Sequence, residues 1–231
     1  MNPLATFIRS QTTWPFRASF RHLSVEWRLS RRHRSSLKQV PRFLHSLPLR
    51  LNLGSGPNRR AGWVNVDLFH AAADLHLDLR DPWPFPDGSV SHVYSEHVFE
   101  HFEFHSEVPH FLSQSLRVLQ PGGLFDVGVP DTEWPLRAYG HSENEYWSFV
   151  KSGIHPKWCE TQLDHINYHF RQDGEHLYAW DEDTLVRTLN RSGFTAVERR
   201  DFDPALDTES RRTGTLYMRA IKPTTREPHR R

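Results

Sequence analysis

The run Leu51-Asn52-Leu53-Gly54-Ser55-Gly56-Pro57, with an acid at Asp67 closing a short apolar stretch, constrains this chain more than any other feature. A strand running into a Gly-x-Gly turn brings main-chain N–H groups close to a ligand. An acid at the end of the next strand can accept hydrogen bonds from ribose hydroxyls. Together they predict a pocket for an adenosine-containing molecule. Only seven residues separate Gly56 from Val64, whereas a parallel crossover normally takes about a dozen. The helix between the first two strands must therefore be a single turn or missing. This spacing weighs against a nicotinamide fingerprint, whose third Gly opens a full helix and whose acid follows about twenty residues on.

The rest of the chain from residue 49 reads as alternating strands, loops and helices. Leu49–Leu53, Trp63–Asp67, Leu75–Leu79 and Val90–Ser95 read as four strands, and the turn-rich Asp81-Pro-Trp-Pro-Phe-Pro-Asp-Gly88 separates the last two. Ser106 is placed to cap a helix whose apolar positions Val108, Phe111, Leu112, Leu116 and Leu119 follow the helical repeat. Gln120-Pro121-Gly122-Gly123 ends it, and Leu124–Val129 is a fifth strand. Asp181 caps a further helix through Asn190, with Gly193 past its end. Thr195–Arg200 and Thr215–Ile221 form a closing antiparallel pair.

Charge divides the chain. Residues 1–50 hold ten Lys/Arg against one acid, Glu26, while the remainder holds nineteen against twenty-seven. The basic arm, residues 1–47, also carries Phe7, Trp14, Phe16, Phe20, Trp27 and Phe43. An organellar leader or an anionic surface would suit this composition. Packing of the arm on the acidic body is the preferred reading, because the aromatics are spread over its whole length. An acidic body argues against nucleic acid. The sole cysteine, Cys159, excludes an internal disulfide and fits a reducing compartment, and a cytoplasmic location is expected. Residues 223–231 read as a disordered tail.

With LNLGSGPN, GWVNVD, PFPDGS, YSEH and RVLQPGG in that order, residues 48–222 resemble the class I S-adenosylmethionine-dependent methyltransferases, specifically a small bacterial-type group. The resemblance implies an α/β, Rossmann-like fold, with a seven-stranded, mostly parallel sheet, an antiparallel last strand and helices on both faces. It assigns Gly54, Ser55 and Gly56 to the turn beneath the cofactor, and Asp67 with Leu68 to the ribose. Asp78 and Leu79 would flank adenine, and Ser95, Glu96 and His97 would lie near the reactive sulfonium. Asn52 stands where many members carry an acid.

His97 and His101 lie four apart, a spacing that suits a metal pair or, more simply, a cap-and-core pair. Methyl transfer to an alcohol benefits from a base that titrates near neutral pH, and His97 is the first choice. Residues 132–176 are aromatic and His-rich, and read as an inserted cover over the sheet's ligand edge. Within or beside this cover Asp131, His165, His169 and His176 are candidates for substrate contact, and no ligand spacing there specifies a metal. The expected reaction moves a methyl group to an oxygen or nitrogen of a small molecule or glycan. A cofactor-binding regulatory or scaffold protein without catalysis is the alternative.

Overall fold

The computed structural model describes residues 11–141 and 144–224. Residues 1–10, with Phe7, and residues 225–231 of the expected tail lie outside the described residues.

Most strands bury the apolar residues that marked them, with the edge strand Thr195–Arg199 largely exposed. β1 (Leu49–Leu53), β2 (Val64–Val66), β3 (Val90–Glu96), β4 (Leu119–Pro130), β5 (Thr195–Arg199) and β6 (Thr215–Ile221) make one sheet in the order β2-β1-β3-β4-β6-β5. β1 pairs in parallel with both β2 and β3, and β3 with β4. β6 is antiparallel to both of its neighbours. The chain leaves β1 toward β2 and then returns across it to β3. The strand order therefore reverses at β1/β3, and open α/β sheets bind ligands at such a switch point.

The sheet has six strands where seven were expected. Leu75–Leu79 forms only a single bridge, Val66 to Leu75. β2 ends at Val66 and the N–H groups of Phe69 and His70 turn onto the Asp67 carboxylate, so the pairing stops there. The outer side is covered by the arm, which folds as a helix, α1 (Trp14–Leu37). Its Ser36 Oγ accepts the N–H of His76 at 2.8 Å, and His33 Nδ1 accepts the N–H of Asp78 at 2.9 Å. Arg32 donates to the carbonyl of Phe69 at 2.7 Å. Side chains of the arm thus satisfy the outward-facing donors of the sheet's edge, and no ladder is needed to do so.

The connection from β1 to β2 holds turns and no helix, as its length required. α2 (Glu107–Val118) and α6 (Glu182–Ser192) contact each other and cover one face through Phe111, Leu112, Leu185 and Leu189. Asp181 caps α6 by accepting the N–H of Thr184, and Gly193 ends it in the left-handed conformation. Ser106 makes no side-chain cap to α2. The carboxylate of Glu103 takes the N–H groups of His105 and Ser106 in its place.

Helices were expected on both faces, but among the described residues no α-helix covers the opposite one. Successive residues of a strand point to opposite sides, so Tyr94 and Asp126 emerge there and meet the loops at 57–63 and 200–212. Asp126 is fully buried, bonded to Arg200, Arg219 and His92 at 2.6–3.0 Å. Register sets Arg219 directly beside it on β6.

Between β4 and α6 the chain builds α3 (Glu133–His141), α4 (Asn144–Phe149), a wide turn over Val150–Ile154, and α5 (Gln162–Arg171). Ala138, Tyr146, Trp147 and Val150 give this insertion a small core of its own, with Trp134 packed against it. No helix among the described residues is long and apolar enough to cross a membrane.

Candidate active site

A cavity of about 650 Å³ opens at the C-terminal ends of β1, β2 and β3. Gly54, Gly56, Asp67, Leu68, Asp78, Leu79 and His97 all line it. Its apolar walls come from Leu77, Val98 and Phe102, and its polar rim includes Arg211, Glu175 and Glu26 of α1.

The floor is built from the Gly-x-Gly turn. Gly54 has φ +64°, and a Cβ there would fall 2.1 Å from a methyl of Val98, so only glycine fits. Gly56, with φ +49°, has nothing within 4 Å of the place a Cβ would occupy. Its N–H turns away from that space and donates to Oδ2 of Asp67 at 2.8 Å. The other oxygen of Asp67 accepts the N–H groups of Phe69 and His70 at 2.8 and 2.7 Å. A carboxylate has about four acceptor sites. Oδ2 therefore keeps one for a hydroxyl without breaking any existing bond.

Asp78 is gripped by Arg80 through two side-chain bonds, at 2.9 and 2.7 Å. Burial pushes its carboxyl up, but the hydrogen bonds and charge of Arg80 outweigh this and leave it below the usual range. The carboxylate is thus held ionised at the rim.

Four of the expected cofactor residues do not line the cavity. The amide of Asn52 donates to Asn65 Oδ1 and to the carbonyl of Asn58, which ties β1 to β2 and to the loop between them. Ser55 and Ser95 are buried. Glu96 accepts from Thr208 Oγ1 at 2.6 Å and from the Tyr217 hydroxyl at 3.0 Å, and so anchors the 208–211 segment to the sheet.

His97 adopts φ +55°, an unusual backbone for a residue with a side chain. Its Nε2 lies 2.8 Å from Thr215 Oγ1, and its Nδ1 faces Glu100 at 3.7 Å. Burial, together with the nearby charge of Arg211 and the rings of His176, His169 and His101, holds its pKa well below the ordinary histidine value. The ring is therefore neutral at pH 7. His97 and His101 do not share a helix face, because the short turn over Phe99–His101 begins after His97.

The cover residues separate into different settings. Asp131 accepts the N–H of Glu133 at 3.0 Å and so starts α3. His165 is buried, with its Nδ1 3.0 Å from that of His155. His169 is driven down to about 3, chiefly by burial. His176 is the one brought beside the cavity wall, next to His101 and Glu100. None of the four lines the cavity itself.

Sequence patterning missed Arg211, Glu26 and Phe102. The first two arrive from segments remote in the chain, and no local motif marks them. Phe102 had a signal in the apolar spacing of Val98, Phe99 and Phe102.

Residues 58–127 match the family described as a methyltransferase domain. The matched stretch contains β2, Asp67, Asp78, β3 and α2, and begins after the Gly54–Gly56 turn. No curated protein matches closely enough to count as a relative. Solved structures with a similar outline include a Thermotoga maritima S-adenosylmethionine-dependent methyltransferase, described as a possible histamine N-methyltransferase. It is 15% identical, with 91% of this chain and 100% of that one covered and a TM-score of 0.45. A putative methyltransferase from Bacillus halodurans is 16% identical over 81% and 99% of the two chains, with a TM-score of 0.43. A chain from a Haloferax volcanii complex of the Trm112 methyltransferase activator with a putative methyltransferase is 17% identical over 86% and 95%, with a TM-score of 0.46.

Proposed function

We propose that this chain is a cytoplasmic methyltransferase of the small bacterial-type group, moving a methyl group from S-adenosylmethionine to an oxygen or nitrogen of a small molecule or glycan. The observation that carries this reading is the cavity at the β1/β3 switch point, floored by Gly54 and Gly56 and edged by Asp67 and Asp78. Its residues fit a nucleoside with an amino-acid arm. The space beside Gly56 admits a ligand against the main chain, the free acceptor site on Asp67 Oδ2 suits a ribose hydroxyl, and Leu77, Leu79 and Phe102 give adenine an apolar slot. When bound, the donor supplies a methyl already activated on a sulfonium.

The chain's own contribution is then to hold the acceptor in line with that methyl and to keep water out. Neutral His97 sits at the deep end of the cavity. Its lowered pKa makes it a weaker base than the near-neutral one expected, and with Nε2 hydrogen-bonded to Thr215 the nitrogen that would take the acceptor's proton is Nδ1, on the side of Glu100. The absence of an acid at Asn52 leaves the donor's amino group to Glu175 or to main-chain carbonyls. Asp131, His165, His169 and His176 would act on the acceptor by shaping the cover above the cavity.

Calorimetry with S-adenosylmethionine and S-adenosylhomocysteine, followed by a screen of sugar, lipid and amine acceptors with labelled donor, tests the reading. A catalyst binds both forms. His97→Ala should lower turnover about 10²- to 10⁴-fold while donor affinity stays nearly unchanged. Absence of donor binding at large excess sinks the proposal.

A second reading is favoured by α1, whose Trp14, Phe16, Phe20 and Trp27 are exposed among arginines. A basic helix displaying aromatics suits the headgroup region of an anionic membrane. A donor-binding scaffold held there would bind vesicles and donor but transfer no methyl group. Binding to anionic vesicles, lost on removal of residues 1–28, is its signature.

A further inference from the structure

Glu100 is buried, yet no other residue donates a hydrogen bond to either of its carboxylate oxygens among the described residues. Burying a carboxylate without donors is costly. What surrounds it is more informative. Nε2 of His101 lies 3.9 Å from its Oε1, Nε2 of His176 lies 4.0 Å from the same oxygen, and Nδ1 of His97 faces it at 3.7 Å. The ligand-type atoms of Glu100, His101 and His176 all fall within 4.8 Å of one another.

The opposite ring nitrogens settle what faces the carboxylate. Nδ1 of His101 is 2.9 Å from the carbonyl of Glu175, and Nδ1 of His176 is 3.1 Å from the carbonyl of His169. A carbonyl only accepts, so both Nδ1 atoms carry the proton. With its Nδ1 proton given to the His169 carbonyl, His176 turns its Nε2 toward the carboxyl of Glu100. The same tautomer in His101 turns a second Nε2 there. Lone pairs aimed at a carboxyl oxygen call for a proton on that oxygen or a cation held between them. Rings fixed by an outer hydrogen bond, with the inner nitrogen free, are the usual setting of metal-binding histidines.

We propose that Glu100, His101 and His176 bind one divalent transition-metal ion of the zinc class at the wall of the cavity. Two imidazoles and one carboxylate are an accepted ligand set for such ions, with an open position for a further ligand. At metal–ligand bonds of about 2.0–2.2 Å, tetrahedral geometry sets ligand atoms roughly 3.4 Å apart. The observed separations to Oε1 need to close by only about half an ångström. The site is fixed from its main chain, because the N–H groups of Leu177 and Tyr178 both donate to the carbonyl of Glu100, at 2.8 and 3.2 Å. This holds His176 beside Glu100 across seventy-odd residues of chain. His101 also lines the cavity, so the site adjoins it on that side. Nothing here depends on the methyl-transfer reading.

The test uses the untagged full chain, stripped with chelator and titrated with Zn²⁺ by calorimetry and with Co²⁺ by visible absorption. One ion per chain is expected, with the intense Co²⁺ bands of a tetrahedral site. Glu100→Gln should abolish binding, and His101→Ala should weaken it at least about 100-fold, the upper end of what loss of an outer-shell partner alone costs. His155→Ala, in the separate cluster with His165 and Cys159, should leave binding unchanged. The proposal is overturned if no stoichiometric ion binds. It is also overturned if Glu100→Gln and His101→Ala bind like the parent, or if His155→Ala alone removes the ion. His101 is 36% exposed, so its alanine variant decides the matter if Glu100→Gln fails to fold. Calorimetry without any methyl donor keeps this outcome separate from the fate of the methyltransferase reading.

Discussion

The N–H of Gly56 donates to Oδ2 of Asp67 at 2.8 Å, so the glycine turn and the acid on the next strand are one hydrogen-bonded unit. Two further N–H groups, of Phe69 and His70, close on the same carboxylate. Asp67 therefore shapes the turn as well as offering an acceptor site to a ligand.

Replacing it separates the two effects. Asp67→Ala leaves three main-chain donors unpaired and should cost about 1–3 kcal/mol of stability, read by urea denaturation. Donor affinity should fall at least about tenfold by calorimetry, which is the loss of one charge-assisted hydrogen bond. Undiminished affinity in a folded Asp67→Ala protein would refute the ribose assignment.

Gly54 is tested through its neighbour. Gly54→Ala places a methyl 2.1 Å from Val98 in a left-handed conformation. The backbone alone costs about 1–2 kcal/mol, before the clash is counted. Adding Val98→Ala removes the clash but not the backbone strain. The double variant should therefore be more stable than the sum of the singles by about 1 kcal/mol or more, as residues in contact are. Simple additivity would mean that the two do not touch.

Much of this geometry was legible in the chain. Most strands follow their apolar runs, though β5 is largely exposed and β4 begins at Leu119, taking in the Gln120–Gly123 stretch expected as a turn. The short link from Gly56 to Val64 correctly forbids a helix. Leu75–Leu79 misled for a physical reason. Its alternation describes a strand, but its partner β2 ends at Val66, where the Phe69 and His70 N–H groups turn onto Asp67, and its outer side meets side chains of α1 that no local pattern could announce. Glu100 escaped notice in the same way. Within YSEHVFEH it looks like one polar residue among several. Only the fold, which brings His176 back to it, exposes an acid without donors.

The polar face of the sheet gives a pH-dependent prediction. Burial pushes the Asp126 carboxyl up, but hydrogen bonds from His92 and Arg219 and the charge of Arg200 hold it below the ordinary aspartate value. A group depressed in the folded state adds stability above its unfolded pKa and loses it as pH falls through the folded one. Stability should therefore drop as pH falls below about 4, and Asp126→Asn should flatten that part of the profile. At pH 7 the variant should be weaker by about 3–5 kcal/mol, because two arginines lose a buried partner. An equally steep acid limb in Asp126→Asn would remove Asp126 as its source.

Ser36 makes a sharper case than its size suggests. It is the buried residue of α1, and its hydroxyl is the acceptor for the His76 N–H. Ser36→Ala should cost about 1–2 kcal/mol by leaving that donor unpaired. Ser113→Ala, on the exposed side of α2, should change stability by less than about 0.5 kcal/mol. Equal effects in the two variants would show that the arm does not hold the edge.

The hydroxyl and imidazole that close the His76 and Asp78 amides belong to residues 40 and 45 positions upstream. Each of these bonds rests on a single side chain of α1 and not on a strand ladder, so it can open while the sheet stays intact. These two amides should therefore exchange with deuterium sooner than those of β1 and β3. Because Glu26 on the same helix also borders the cavity, a molecule seated there would slow their exchange, and two backbone protons would report its residence time.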